Sequence, residues 1–283
     1  ILTAALVPTM LWADLTNPYI WIAVGSTLAF GAIGFFDDYL KVVRRSSHGL
    51  QPRYKLVFQV GVATLVGLSL LALADENLYT TRLIFPFFKN LIPDLGWWYV
   101  PFSVLVLVGA SNAVNLTDGL DGLAISVFTV AAAAFTALAY VTGHAVLAAY
   151  LLLVHFSPTA ELTIFGGSLV GAGLGFLWYN SYPADIFMGD VGSLALGGAL
   201  GTVAILIKQE LLLPIVGGVF VIEALSVIIQ VASMRLRGKR VFRMAPIHHH
   251  FEMAGWPEPL IIVRFWIISV ICALAALATL RLR

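Results

Sequence analysis

Charge is scarce in this chain. Asp, Glu, Lys and Arg make up 11% of its 283 residues, against about 25% in an ordinary soluble domain. Hydrophobic residues reach 60%, more apolar surface than a water-soluble fold of this length can hide. The chain therefore reads as all-α and polytopic, a single integral-membrane domain over residues 1–283. Cysteine is nearly absent: Cys272 stands alone inside an apolar run, which excludes a disulfide and a thiolate metal site. A net charge of +1 leaves bulk charge silent about partners, and no nucleic-acid partner is expected. No internal repeat is evident, which weakens the case for an inverted-repeat transporter. No cleavable signal peptide is visible, and the chain opens on an apolar stretch without a preceding basic segment. That start points to N-terminal sequence missing ahead of residue 1.

About nine spans are expected: a partial one at 1–13, then 19–36, 56–74, 97–114, 122–142, 161–179, 191–207, 213–234 and 264–281. The stretch 143–160, broken by Gly143, His144, His155 and Pro158, is expected to be an outer loop or re-entrant piece. Threading these spans puts loops 37–55, 115–121, 180–190 and 235–263 on one side. Eleven of the 16 Lys and Arg lie there: Lys41, Arg44, Arg45, Arg53, Lys55, Arg235, Arg237, Lys239, Arg240, Arg243 and Arg264. Arg82, Lys89, Lys208, Arg281 and Arg283 fall on the other. The bias makes the first side cytoplasmic. Gly167, Gly171 and Gly175, then Gly197 and Gly201, recur at helical spacing and are expected to let helices pack closely in lipid.

What is present is a set of aspartates at the ends of the apolar runs, all on the cytoplasmic side. Carboxylates near hydrocarbon are costly and point to function. Asp37-Asp38 follows Gly34-Phe35-Phe36; a helix end paired with Lys41 is the plainer reading. Asn112, Asn115, Asp118 and Asp121 recur at a spacing of three and would form one polar stripe if helical. Gly119 and Gly122 would permit tight turns and close backbone approach. Asp118 and Asp121 could instead cap the next helix. Asp190 precedes a new apolar run, as a helix cap or a metal ligand. Phe187 could stack on a planar base, and Asn180 could reach the same pocket. His248-His249-His250 sits in a basic loop. Adjacent histidines share no helix face for zinc, and imidazoles beside phosphate oxygens suit the loop better. Glu223 lies inside a span with Gln230 two turns later, in either a functional or a hydrogen-bonded structural role. Together, clustered carboxylates with Lys, Arg and His point to Mg²⁺-assisted chemistry on a phosphate ester at the membrane surface. One lipid and one water-soluble substrate could meet there, as in phosphosugar transfer onto a lipid phosphate.

Four segments carry a family resemblance: Gly34-Phe35-Phe36-Asp37-Asp38-Tyr39, Asn112 through Ala124, Phe187-Met188-Gly189-Asp190-Val191-Gly192-Ser193, and Met244-Ala245-Pro246-Ile247-His248-His249-His250-Phe251-Glu252. The chain closely resembles the phospho-N-acetylmuramoyl-pentapeptide transferases (the MraY or translocase I branch of the polyprenyl-phosphate N-acetylhexosamine-1-phosphate transferases). The resemblance covers essentially the whole chain. It implies about ten spanning helices, one more than is seen here. A family loop with a Thr-Pro-Thr-Met-Gly-Gly type motif and its lysine would fall just before residue 1. It implies transfer of phospho-MurNAc-pentapeptide from UDP-MurNAc-pentapeptide to undecaprenyl phosphate, giving lipid I and UMP in peptidoglycan synthesis. The setting would be the bacterial inner membrane, with Mg²⁺ as cofactor and a homodimer as the assembly. By motif match Asp190 would bind Mg²⁺, Asp37 and Asp38 would serve the lipid phosphate, and Asp121 and Phe187 would hold the uracil. Asn112, Asn115, Asp118, Asn180, Gln230, His248, His249 and His250 would line the site, with Lys41 and Lys55 as phosphate contacts. The competing readings are a sister transferase moving N-acetylglucosamine-1-phosphate, a carboxylate-gated transporter and a non-catalytic scaffold.

Overall fold

The computed structural model describes residues 1–44, 49–86, 88, 91–151 and 153–280. Arg45, Lys89, Arg281 and Arg283, counted above for orientation, and the last residue of the expected span 264–281 lie outside the described residues. Among the described residues the fold is all-helical apart from one isolated bridge, Arg82 with Asp94. In lipid only helices and closed β-barrels satisfy every backbone N–H and C=O, and uninterrupted apolar runs of about 20 residues have the length and pattern of helices.

Among the described residues, eight helices are long and apolar enough to cross a membrane. They are α2 (Pro18–Val43), α3 (Pro52–Asp75), α4 (Tyr99–Thr117, entered by a 3₁₀ turn), α5 (Leu123–Gly143), α7 (Leu162–Asn180, likewise), α8 (Gly189–Leu206), α10 (Gly218–Arg237) and α12 (Glu258–Thr279). The partial first span is the short α1 (Leu2–Trp12). The 143–160 stretch does not cross; it holds the one-and-a-half-turn α6 (Ala145–Tyr150) and the 3₁₀ turn before α7. The expected span 213–234 is split by Gly217 into a single turn, α9 (Leu213–Val216), and α10. The histidine segment is helical as α11 (Ile247–Glu252).

Several helices outrun their apolar stretches on the predicted cytoplasmic side, which narrows the expected loops. Asn17 caps α2, accepting from the Tyr19 amide, with Pro18 at the first position. At its other end α2 continues past Phe36 for two turns, because Lys41 neutralises Asp37 one turn back. Pro52 starts α3 four residues before its expected onset, so Arg53 and Lys55 stand on the helix. Pro257 and Glu258 start α12 before Arg264, whose guanidinium lies 4.2 Å over the Trp256 ring.

The central element is α8, the most buried span. Its small residues admit neighbours on several sides. A Cβ on Gly197 would come within 2.6 Å of the α4 backbone, and one on Gly198 within 2.6 Å of Phe30 on α2. Ser26 and Thr202 hydroxyls join α2 to α8 at 2.8 Å, and Ser111 donates to the Leu194 carbonyl from α4. The packing expectation thus holds for Gly197 and Gly201 but is corrected for Gly167, Gly171 and Gly175. A side chain at those three would meet nothing within 4 Å. It is Gly166 and Gly173, one face over on α7, that press against Thr136 and Thr129 of α5.

Candidate active site

The acidic helix ends converge because α2 and α8 touch backbone to backbone at Gly34. A Cβ there would lie 2.1 Å from the Asp190 carbonyl oxygen, so only glycine lets the first turn of α8 reach the last turns of α2. The contact gathers Asp37, Asp38 and Asp190, each offering a carboxylate oxygen within 4.8 Å of the others. Asp37 is buried, with Oδ1 accepting from the Leu50 amide at 2.7 Å. Asp38 Oδ2 accepts from the Val191 amide at 3.2 Å.

Two ammonium groups hold this cluster together. Lys41 Nζ lies 2.6 Å from Asp37, 3.1 Å from Asp38 and 3.1 Å from Asp190. Lys55, from the start of α3, lies 2.9 Å from the same Asp190 oxygen. Asp190 Oδ1 accepts from Asn115 Nδ2 at 2.7 Å, and that amide also reaches Ser193 Oγ at 2.8 Å. Four helices thus meet on one carboxylate. Three acids facing two ammonium groups leave the cluster short of positive charge, and its carboxylate oxygens are the donor type a hard divalent cation takes.

Beside the cluster opens a cleft of about 320 Å³, lined among others by Asp38, Lys41, Asn115, Asp118, Asp121, Asn180, Phe187 and Asp190. The expected continuous stripe through Asn112, Asn115, Asp118 and Asp121 does not form. Helix α4 ends at Thr117, Asp118 leaves helical geometry, and residues 118–122 turn sharply, with Gly122 at φ +75°. Asn112, one turn back from Asn115 and still on α4, is held by Gln59 of α3, to which it donates at 2.8 Å. Asp121 Oδ2 accepts from the Ala184 amide. Asn180 is buried and ties the two loops, accepting from the Gly122 amide and donating to the Ile186 carbonyl. Phe187 projects from this scaffold, 74% exposed. The Asp118 carboxyl is pushed up to about 7, first by burial and then by the charges of Asp190 and Asp38.

The histidines part company. His248 is fully buried, with Nδ1 3.1 Å from Glu223. His249 Nδ1 meets Glu252 at 2.5 Å, and His250 Nδ1 accepts from the Arg243 amide. Successive residues of a helix point about 100° apart, and none of the three lines the cleft. Gln230 spends its amide on the following loop, accepting from the Val241 and Phe242 amides and donating to the Phe242 carbonyl. Ser193, Gln59 and Glu258, whose Oε1 accepts from the Asp121 amide at 3.4 Å, are not singled out by the sequence. Ser193 was legible as the residue one turn beyond Asp190, and Gln59 as the residue one turn beyond Lys55.

The family described as glycosyl transferase family 4 matches residues 20–208, which contain the whole acidic cluster. The chain is similar to a phospho-N-acetylmuramoyl-pentapeptide-transferase of Pelobacter propionicus, 59% identical over all of this chain and 78% of that protein. Proteins of the same name in Koribacter versatilis and Geobacter sp. (strain M21) are 58% and 57% identical, covering 99% and 100% of this chain and 78% of each relative. By extent and identity of match, the chain belongs to glycosyl transferase family 4, in its phospho-N-acetylmuramoyl-pentapeptide-transferase branch.

Proposed function

We propose that this chain transfers phospho-MurNAc-pentapeptide from UDP-MurNAc-pentapeptide to undecaprenyl phosphate, giving lipid I and UMP. The observation that carries the chemistry is the convergence of Asp37, Asp38 and Asp190 with Lys41 and Lys55 at the mouth of a polar cleft. In the route we favour, an oxygen of the lipid phosphate attacks the sugar-bearing phosphorus of the diphosphate. The bond to the bridging oxygen breaks, and UMP leaves with the electron pair. Lys41 and Lys55 are placed to offset phosphate charge, and Asp37 and Asp38 to orient the lipid phosphate. Asp190, with the neighbouring aspartates, would hold Mg²⁺, which would neutralise charge on the diphosphate and its leaving group. Phe187 would stack on the uracil and Asp121 would read its edge.

A second cavity supports the lipid partner. It measures about 330 Å³ between α4 and α10 and is walled by apolar residues such as Leu105, Phe220 and Leu225. It reaches Ala113 and Val114, next to Asn115 of the cluster. The basic excess around the acidic helix ends supports a cytoplasmic site in a bacterial inner membrane, where a nucleotide sugar is available. A homodimer is part of the same reading.

The test is UMP release with Mg²⁺, comparing UDP-MurNAc-pentapeptide with UDP-GlcNAc, each with undecaprenyl phosphate. Release from the pentapeptide substrate alone is expected. Release from UDP-GlcNAc would move the chain to the sister activity, and labelled phosphosugar trapped on the protein without lipid would overturn the direct route.

A further inference from the structure

Glu223 is fully buried within the spanning helix α10, one of the costliest places for a carboxylate. The one ionisable group that reaches it among the described residues is His248, whose Nδ1 lies 3.1 Å from Glu223 Oε2. The contact is off the hydrogen-bond line, and neither carboxylate oxygen nor either ring nitrogen has a hydrogen-bond partner among the described residues. On its far edge the ring meets the acidic turn. A Cβ on Gly119 would lie 2.3 Å from His248 Nε2. The imidazole is thus wedged between a membrane-spanning carboxylate and the backbone that joins Asp118 to Asp121. Its own helix is held from behind, where Phe251 stacks on Trp256 and meets Phe265 edge-on.

We infer that Glu223 is a positioning residue, acting through His248 to set the height and tilt of the 118–122 turn. The carboxylate fixes which ring edge faces α10, and the opposite edge then props Gly119 from below. Glu223 does not itself line the cleft. The turn it supports carries Asp118 and Asp121 into that cleft, so a displaced ring misplaces both carboxylates together. The activity consequence rests on the transferase reading; the structural consequence does not.

The experiment uses the full-length protein in detergent and two readouts. Hydrogen–deuterium exchange is followed across 117–123, and kcat and KM are measured from UMP release with UDP-MurNAc-pentapeptide. Glu223→Gln should speed exchange in 117–123 and at Ala184, whose amide donates to Asp121, while leaving the distant 76–84 segment unchanged. It should lower kcat about 10- to 100-fold, the scale of a misplacement near 1 Å, with a smaller change in KM. In a His248→Ala background, Glu223→Gln should cost nothing further. If Glu223→Gln does not fold, Gly119→Ala at the aqueous turn tests the same wedge. It should impair kcat in the wild-type background and be tolerated once His248→Ala has removed the ring. Unchanged exchange at 117–123 in Glu223→Gln, losses that multiply in the double variant, or a fully active Gly119→Ala would each overturn the inference. Failure of the wild-type protein to release UMP would count against the transferase reading alone, since the exchange result stands without it.

Discussion

The chain builds lysine–carboxylate clusters at both ends of its bundle, and they are opposites in design. At one end Lys41 and Lys55 serve Asp37, Asp38 and Asp190, three acids for two bases, with Lys41 36% exposed beside an open cleft. At the other, Lys208 meets Glu210 alone at 2.7 Å, and both are essentially sealed from solvent. Two tyrosines complete the second cluster. Tyr99 accepts from Lys208 at 2.8 Å and donates to Glu210, and Tyr79 bonds to Tyr99 and to the Ile205 carbonyl. Burial pulls the Lys208 ammonium below its ordinary range, and the Glu210 carboxylate pushes the other way. A balanced, buried pair is suited to tying its loop to α4 through Tyr99. An unbalanced, accessible one retains capacity for a ligand's charge. The apolar cavity between α4 and α10 runs from one cluster toward the other, reaching Asn115's neighbours at one end and Glu210 at the other.

The sharpest way to break this contrast is to neutralise one acid at the open end. Asp190→Asn should reduce UMP release by about 10²- to 10³-fold, the scale of losing a group that meets charge developing in the transition state. Its unfolding midpoint should fall less than that of Lys208→Ala below, since Asp37 and Asp38 still face Lys41; near-normal turnover would remove Asp190 from the chemistry. The reciprocal change is Lys208→Ala, which strands Glu210 without a counter-charge. It should cost about 3–5 kcal/mol of stability, read as a lower unfolding midpoint, while turnover per folded molecule at low temperature holds. A severe kcat loss in well-folded Lys208→Ala would erase the distinction between the two ends.

Phe187→Ala should have a smaller effect. Loss of one stacking contact is worth about 1–3 kcal/mol, seen as a raised KM for the UDP-sugar with the unfolding midpoint unchanged. The smallest effect expected is on pH dependence. The Asp118 carboxyl has its pKa raised to about 7 by burial. Its contribution to stability is therefore fully present below the ordinary carboxylate range and is lost as pH rises through 7. Asp118→Asn, neutral throughout, should flatten that fall between about pH 4 and 8. An identical stability–pH curve in the variant would show that the turn is open to water.

Much of the site was legible because membrane spans tolerate charge only at their ends. The motif residues Asp37, Asp38, Asp118, Asp121 and Asp190 could be put on one side simply by threading apolar runs and counting basic loops. Helix contacts agree, with Lys55, Asn115 and Asp38 all meeting the first turn of α8. The stripe breaks at Asp118 and Asp121 because a spacing of three implies a shared face only while the helix lasts, and α4 stops at Thr117; Asn112, still on α4, is held by Gln59 of α3. The glycines of α7 were misjudged by one face for a related reason. Period alone does not say which side of a helix has a neighbour.

The sequence by itself determined the class of the molecule, the helices, the side on which its acids gather and the family it resembles. The first three follow from local composition, since lipid forbids unpaired backbone and penalises charge whatever the partners turn out to be; the resemblance rests on the four motif segments. Only the tertiary structure decided which acids share a cation, that His248 is buried against Glu223 and Gly119 while His249 and His250 turn elsewhere, and that Lys208 is locked away. Those outcomes depend on distances between helices far apart in sequence, set by side-chain volume at contacts such as Gly34 against Asp190, and no one-dimensional pattern carries that volume.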